Sequence, residues 1–254
     1  PVLALTRFGG YADVIAVPEN QVFEKSDKLS FDHAAAIPVN YVTAWQLLVT
    51  MGGLQQGETV LVHNAGGGVG LAALDIIKHF GAKAIGTASA GKHEFLTQRG
   101  YEHLIDDRNQ DWSDELQEIT DGKGVELIID PLGGDNWKKS YAALRHTGRM
   151  GVFGVSTLTE SGSKIIGMLK FMWNLPKFNP LSLMNRNRGV FGVNVGHMWH
   201  EPEKVNSWCR SLLKGVDEGW INPHVDRTFK FEEAGEAHQY IEDRKNIGKV
   251  ILAP

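Results

Sequence analysis

Glu58-Thr59-Val60-Leu61-Val62-His63-Asn64-Ala65-Gly66-Gly67-Gly68-Val69-Gly70-Leu71 is the stretch that sets the fold. Thr59 to His63 is a short apolar run of the length expected for a parallel strand buried on both faces. After the glycines, Leu71, Leu74 and Ile77 recur at helical spacing, with Ala72 and Ala73 between them. A strand that enters a helix across glycines leaves unpaired N–H groups at the helix N-terminus, beside backbone that no side chain obstructs. That arrangement suits a phosphate. Against the pattern G-x-G-x-x-G the six residues 65–70 read A-x-G-x-x-G, with Ala65 first and Gly67 and Gly70 in the second and third glycine positions. Gly67 admits a pyrophosphate close to the backbone, and Gly70 admits close packing of helix on strand. A bland strand-to-helix turn would need glycine too, so the placement between strand and helix carries the dinucleotide reading.

The next strand, Lys83 to Ala88, ends in Ser89-Ala90-Gly91-Lys92-His93. A strand tip that binds NAD presents a carboxylate to the ribose 2′-hydroxyl, and this one presents a hydroxyl and a cation. The expected cofactor is therefore NADPH, with Ser89 and Lys92 on its 2′-phosphate. Ser89 could instead cap the helix beginning near Lys92, and Arg108 is a further cation at the following strand's end.

Strands are expected near 59–63, 84–88, 103–105, 126–130 and 148–153, separated by helices near 69–79, 92–98, 113–120 and 135–144. This alternation predicts an α/β fold, a doubly wound parallel (Rossmann) sheet with ligand at the carboxyl ends of the strands. From 156 to 188 the pattern fails, and the stretch reads as an insertion or lid. Its basic and aromatic part, 164–177, could alternatively meet a protein partner or lie peripherally on a membrane. A strand at 190–195, a helix at 201–215, an extended run at 223–231, a helix at 232–244 and a last strand at 249–252 follow. Before the sheet, Val2 to Leu5 and Tyr11 to Val17 read as a hairpin turning at Gly9-Gly10. Ser30 or Asp32 can cap a helix that breaks at Pro38 and resumes from Thr43 to Met51.

With 254 residues, 42% hydrophobic and 22% charged, the chain can bury a sizeable core. A net charge of -4 gives no electrostatic reason to expect nucleic acid. Cys209 is the one cysteine, which leaves no intrachain disulfide or cysteine-rich zinc cluster within these residues and fits a reducing, cytoplasmic setting. The apolar stretch Ile165 to Trp173 is interrupted by Lys170 and falls far short of the ~20 residues that span a bilayer. No secretory signal is visible, and a chain opening on Pro1 is expected to begin inside a longer product.

Val39-Asn40-Tyr41-Val42-Thr43-Ala44-Trp45, the run 57–70, and Gly86-Thr87-Ala88-Ser89-Ala90-Gly91-Lys92-His93-Glu94 together resemble the quinone oxidoreductase branch of the medium-chain dehydrogenase/reductase superfamily. Asp130-Pro131-Leu132-Gly133-Gly134, Asn187 to Gly192, Ile221 to Asp226 and Asn246 to Val250 look most like the vesicle amine transport protein homologues of that branch. The resemblance implies a GroES-like β domain, of which both ends of the chain carry remnants. Residues 1–30 would be the C-terminal part of that domain, truncated here, and 223–254 the return to it, with the Rossmann domain at 31–193 and its last helix region at 194–222.

The same resemblance implies contacts to the cofactor. Gly67, Gly68 and Val69 would meet the pyrophosphate, and Thr43, Phe153, Val155, Phe191 and Val193 the nicotinamide side, with Lys249 as an additional contact. Thr43 could instead bond its own helix backbone, and Phe153 and Phe191 could be simple core aromatics. Val39 stands where zinc-dependent relatives carry a ligand, and His197 with His200 lacks a carboxylate or cysteine partner, so no metal is expected. Hydride delivery from NADPH to a quinone or activated enone is the chemistry such a site runs without a Lewis acid. Asn40 and Tyr41 are the candidate donors to the developing oxyanion. Asp106, Asp107 and Asp130 read as solvated loop carboxylates. An NADPH-binding interaction or membrane-associated protein with little turnover is the other class of function, and a homodimer through Arg188 to Val193 is expected by analogy.

Overall fold

The computed structural model describes residues 1–109, 111–155 and 175–254. Most of the expected insertion and of the 164–177 stretch therefore lies outside the described residues. The described chain forms two compact units, one of residues 46–65 and 80–193, the other of 1–45, 66–79 and 194–254.

The first of these holds a six-stranded parallel sheet in the order β5-β4-β3-β6-β7-β8. The strands are β3 (Thr59–Val62), β4 (Lys83–Thr87), β5 (His103–Ile105), β6 (Val125–Asp130), β7 (Leu144–Val152) and β8 (Gly189–Gly192). Helices α4 (His93–Arg99), α5 (Trp112–Ile119) and α6 (Asp135–Ala143) connect them. The expected alternation is observed, and the expected bounds of these elements lie within a few residues of those found.

Register explains why the sheet is buried. Leu61 pairs with Ile85 on one side and Ile128 on the other, Ile128 pairs with Met150, and Met150 pairs with Val190. Five apolar side chains thus form one row across one face, against which Trp112 and Leu116 of α5 complete a buried cluster. At the amino ends of the strands Arg149 clamps Glu58 through two N–H donors, each 2.6 Å from a carboxylate oxygen. The guanidinium also donates to the Gly52 carbonyl.

Ala65, which replaces the first glycine of the fingerprint, is fully buried. It fits because its neighbour on β4 is Gly86, where an added Cβ would stand 2.7 Å from the Ala65 methyl.

In the other unit, β1 (Val2–Ala4) pairs antiparallel with β2 (Val22–Glu24). The expected hairpin partner, 11–17, forms no strand: Tyr11 and Val14 are exposed, so the alternating pattern has no surface to bury against. Ser30 caps α1 (Phe31–Ala35) by accepting from the His33 N–H. The expected interruption before Pro38 is observed, α1 ending at Ala35, but the helix resumes at Pro38 itself and not at Thr43: α2 runs Pro38–Trp45, and a proline at the first helical position gives up no intrahelical donor. The chain then tightens into a π-turn, Gln46–Thr50. Helix α3 (Gly68–His79) packs on α2, and helix Pro202–Glu218 also contacts α2. Strand β9 (Val225–Lys230) pairs in parallel with β10 (Lys249–Ala253), helix Ala234–Glu242 lying between them in sequence. No helix among the described residues is long and apolar enough to cross a membrane.

Gly86→Ala is expected to lower stability by about 1–3 kcal/mol through overpacking against Ala65. Adding Ala65→Gly should recover part of that loss in thermal melts, because the contact is between those two positions.

Candidate functional site

Helix α3 opens at Gly68, and its first intrahelical bond is Leu71 N–H to the Gly67 carbonyl, 3.0 Å. The N–H groups of its first turn point along the axis away from the helix, where its dipole is positive. Behind this turn the chain returns near its C-terminus. Gly67 and Gly248 form a parallel bridge, and the Gly248 N–H donates to the Gly66 carbonyl at 2.7 Å. Gly248 has φ +78°, and a Cβ there would press on the His224 carbonyl at 2.8 Å, so glycine alone lets the strand approach.

Lys249 follows directly. Burial lowers its ammonium pKa, and no carboxylate pairs with it among the described residues. A partly desolvated cation next to a glycine turn and a helix N-terminus is a donor set for an anion.

Asn40 of α2 packs against the same turn. Its Nδ2 donates to the Ala36 carbonyl at 3.3 Å, and a Cβ at position 68 would stand 2.4 Å from that nitrogen. A side chain at position 68 would therefore displace the Asn40 amide. Tyr41 is placed differently. It is buried, and its hydroxyl donates to Asp75 Oδ2 at 2.6 Å, while the Asn222 N–H donates to the same oxygen at 2.9 Å. Asp75, a carboxylate between Leu74 and Ile76 on the buried face of α3, is the sequence signal that could have found this partner of Tyr41. Thr43 is buried on α2, and Val69 is partly exposed.

In the sheet unit, Ser89 precedes a short 3-10 turn, Ala90–Lys92, and its side chain makes no capping bond. Capping does not consume the hydroxyl. Phe153 and Val155 follow β7, Val155 being exposed. Phe191 on β8 lies over Gly151, whose added Cβ would meet its ring at 2.7 Å, and Val193 is buried. Packing accounts for the position of the Phe191 ring.

Asp130 corrects the sequence reading. It is no solvated loop carboxylate but is fully buried at the end of β6. Its Oδ1 accepts the Leu132 N–H at 2.7 Å, and its Oδ2 accepts from Ser140 Oγ at 2.6 Å and Asn136 Nδ2 at 2.8 Å. His63, buried at the end of β3, reaches Ser140 with Nε2 at 3.1 Å and Thr87 with Nδ1 at 3.2 Å. Burial lowers the His63 pKa, against smaller opposing pulls from Asp130 and Asp107. Cys209 lies buried in helix Pro202–Glu218, and burial pushes its thiol up to about 12.

The chain as a whole has relatives among known proteins. A family model described as zinc-binding dehydrogenase matches residues 99–252. The synaptic vesicle membrane protein VAT-1 homolog of Mus musculus is 38% identical over 255 residues, covering 100% of this chain and 63% of the relative. The quinone oxidoreductase of Homo sapiens is 30% identical, covering 97% of this chain and 70% of the relative. The chain belongs to the quinone oxidoreductase-like branch of the medium-chain dehydrogenase/reductase superfamily.

Among solved structures, mycobacterial Rv1454c complexed with NADPH superposes with a TM-score of 0.84 at 26% identity, over 100% of this chain and 74% of that one. This medium-chain chain spans less than two thirds of the length of its mouse relative. The family description names zinc, but the donor set does not fit it. Among the described residues no three His, Cys, Asp or Glu side chains converge, and the one thiol is buried, which disfavours the thiolate that a zinc ligand needs.

Tyr41→Phe should cost about 1–3 kcal/mol of stability in denaturant melts, since buried Asp75 loses a short hydrogen bond. It should leave any hydride-transfer rate unchanged. For His63 the folded pKa lies below the 6.5 of the free side chain, so below about pH 6.5 the unfolded chain takes up a proton that the folded protein refuses. Stability from this group is complete above that pH and declines as the pH falls. The difference in melting temperature between wild type and His63→Gln should therefore shift against the wild type between about pH 8 and about pH 5.

Proposed function

We propose that the chain is the dinucleotide-binding part of a zinc-independent, NADPH-dependent oxidoreductase that reduces a quinone or an activated enone. The observation that carries this reading is the glycine turn opening α3, backed by Gly248 and followed in space by the underpaired Lys249. Gly67, Gly68 and Val69 hold the pyrophosphate through backbone N–H groups, with Lys249 as the neighbouring cation. Ser89 and Lys92 take the 2′-phosphate, supported by the absence of an acidic residue at the tip and by the uncapped Ser89 side chain. The mycobacterial neighbour solved with NADPH supports the same cofactor.

When bound, NADPH supplies the hydride. The protein's remaining task is to orient a conjugated acceptor and steady its developing oxyanion. Asn40, partly exposed beside Gly68, is the better-placed donor of the two candidates, because the Tyr41 hydroxyl is committed to Asp75. Thr43, Phe153, Val155, Phe191 and Val193 are assigned to the nicotinamide side. Residues 1–30 and 223–254 are assigned to the GroES-like substrate domain, 31–193 to the dinucleotide-binding domain and 194–222 to its last helix region.

A homodimer through β8, one of the two edge strands of the described sheet, completes the assembly. The alternative, an NADPH-binding protein that works at a membrane or partner surface with little turnover, draws on the names of the vesicle-protein relatives and on exposed Leu181 and Met184 of helix Pro180–Arg186.

In fluorescence titrations NADPH is expected to bind at least about tenfold more tightly than NADH, a difference of about 1.4 kcal/mol. Lys92→Ala should remove most of that preference. Turnover of a quinone or enone alongside binding favours the reductase, whereas tight NADPH binding with no turnover and with vesicle co-sedimentation favours the alternative.

A further inference from the structure

Thr87, His63 and Asp130 stand two residues beyond Ile85, Leu61 and Ile128, and so continue the apolar row on the same face toward the carboxyl ends of the strands. All three are at most 1% exposed, as is Ser140 from α6. The His63 ring also meets Trp112 edge-on, with centroids 4.6 Å apart, and Trp112 Nε1 donates to Asn136 Oδ1 at 2.8 Å. Burying these polar groups is costly unless each finds a partner, and an apolar row would pack the same space. The hydrogen bonds have one consistent direction. A carboxylate only accepts, so the Ser140 hydroxyl spends its proton on Asp130 Oδ2 and must accept from His63 Nε2. With the proton on Nε2, His63 Nδ1 accepts from the Thr87 hydroxyl, whose oxygen in turn accepts the Asn64 N–H at 3.4 Å. Asn64 has φ +55°, a conformation that calls for such local support.

Thr87 is the last residue of β4 and the root of the tip that carries Ser89 and Lys92. Its carbonyl accepts the Ala65 N–H at 2.9 Å, and the far end of the tip is tied by His93 Nε2 to the Ala88 carbonyl at 2.8 Å. We propose that His63, as its Nε2–H tautomer, is a positioning residue for the adenosine end of the nucleotide, acting through Thr87 to hold the Ser89–Lys92 tip in the geometry that reads a 2′-phosphate. This rests on the NADPH reading above. The oriented chain from Asp130 through Ser140 and His63 fixes the Thr87 hydroxyl, and with it the start of the tip.

The test is a titration of NADPH and NADH against wild type, Thr87→Val and His63→Gln, with melting curves for each. Thr87→Val keeps shape and backbone but removes the hydroxyl; His63→Gln keeps a donor toward Ser140 but alters the acceptor facing Thr87. NADPH affinity should fall at least about fivefold in each, about 1 kcal/mol, while NADH affinity stays within about twofold. Equal weakening of both nucleotides, or an unchanged ratio, means a packing role only and overturns the proposal while leaving the NADPH reading intact. A wild type that binds neither nucleotide overturns that reading and the proposal with it. Independently of any variant, nitrogen-15 NMR of the wild-type His63 ring should show one proton, on Nε2; a proton on Nδ1 at neutral pH would also overturn the assignment.

Discussion

A central strand in a parallel sheet has no access to water for its backbone, so every N–H and C=O must be matched by a neighbour in register. β3 is that strand, with β4 on one side and β6 on the other. Fixing those two pairings aligns Leu61 with Ile85 and Ile128, and two residues later His63 with Thr87 and Asp130. The apolar row supplies burial, and the polar row finishes it at the edge where the strands end. A slip of one residue would reverse the faces of both rows and leave the His63 and Asp130 side chains without these partners.

The close approach at Ala65 depends on the same registration. Only because Gly86 lies under it can the chain leave β3 through a residue with a side chain. In the other unit the glycine turn is held by an equivalent economy, since Gly248 brings the C-terminal strand against Gly66 and Gly67 with no side chain between. Cation placement follows from backbone geometry in both places: Lys249 comes next after Gly248, and Lys92 lies on the tip rooted at Thr87.

Much of this was legible in the sequence. The succession of strands and helices from Thr59 to Val152 follows from local periodicity, which is short-range physics written in consecutive residues. The failures are as instructive. The segment 11–17 alternates like a strand but has no partner, and the helix expected to resume at Thr43 after the break already resumes at Pro38. In each case the local pattern admits two structures, and tertiary contacts or helix-end geometry choose between them. Asp130 was misread because an acidic residue at a strand end is commonly solvated, and nothing near it in sequence reveals that Ser140 and His63 lie against it.

The amino-acid sequence by itself determined the α/β alternation, the glycine turn between β3 and α3, and the hydroxyl and cation at the next strand tip. Each depends on residues a few positions apart. Tertiary structure decided which polar groups are buried together, that Tyr41 is bound to Asp75, and that Gly248 and Lys249 stand behind the turn. Those groupings unite residues separated by tens to nearly two hundred positions, and strand register and helix packing alone bring them within bonding distance.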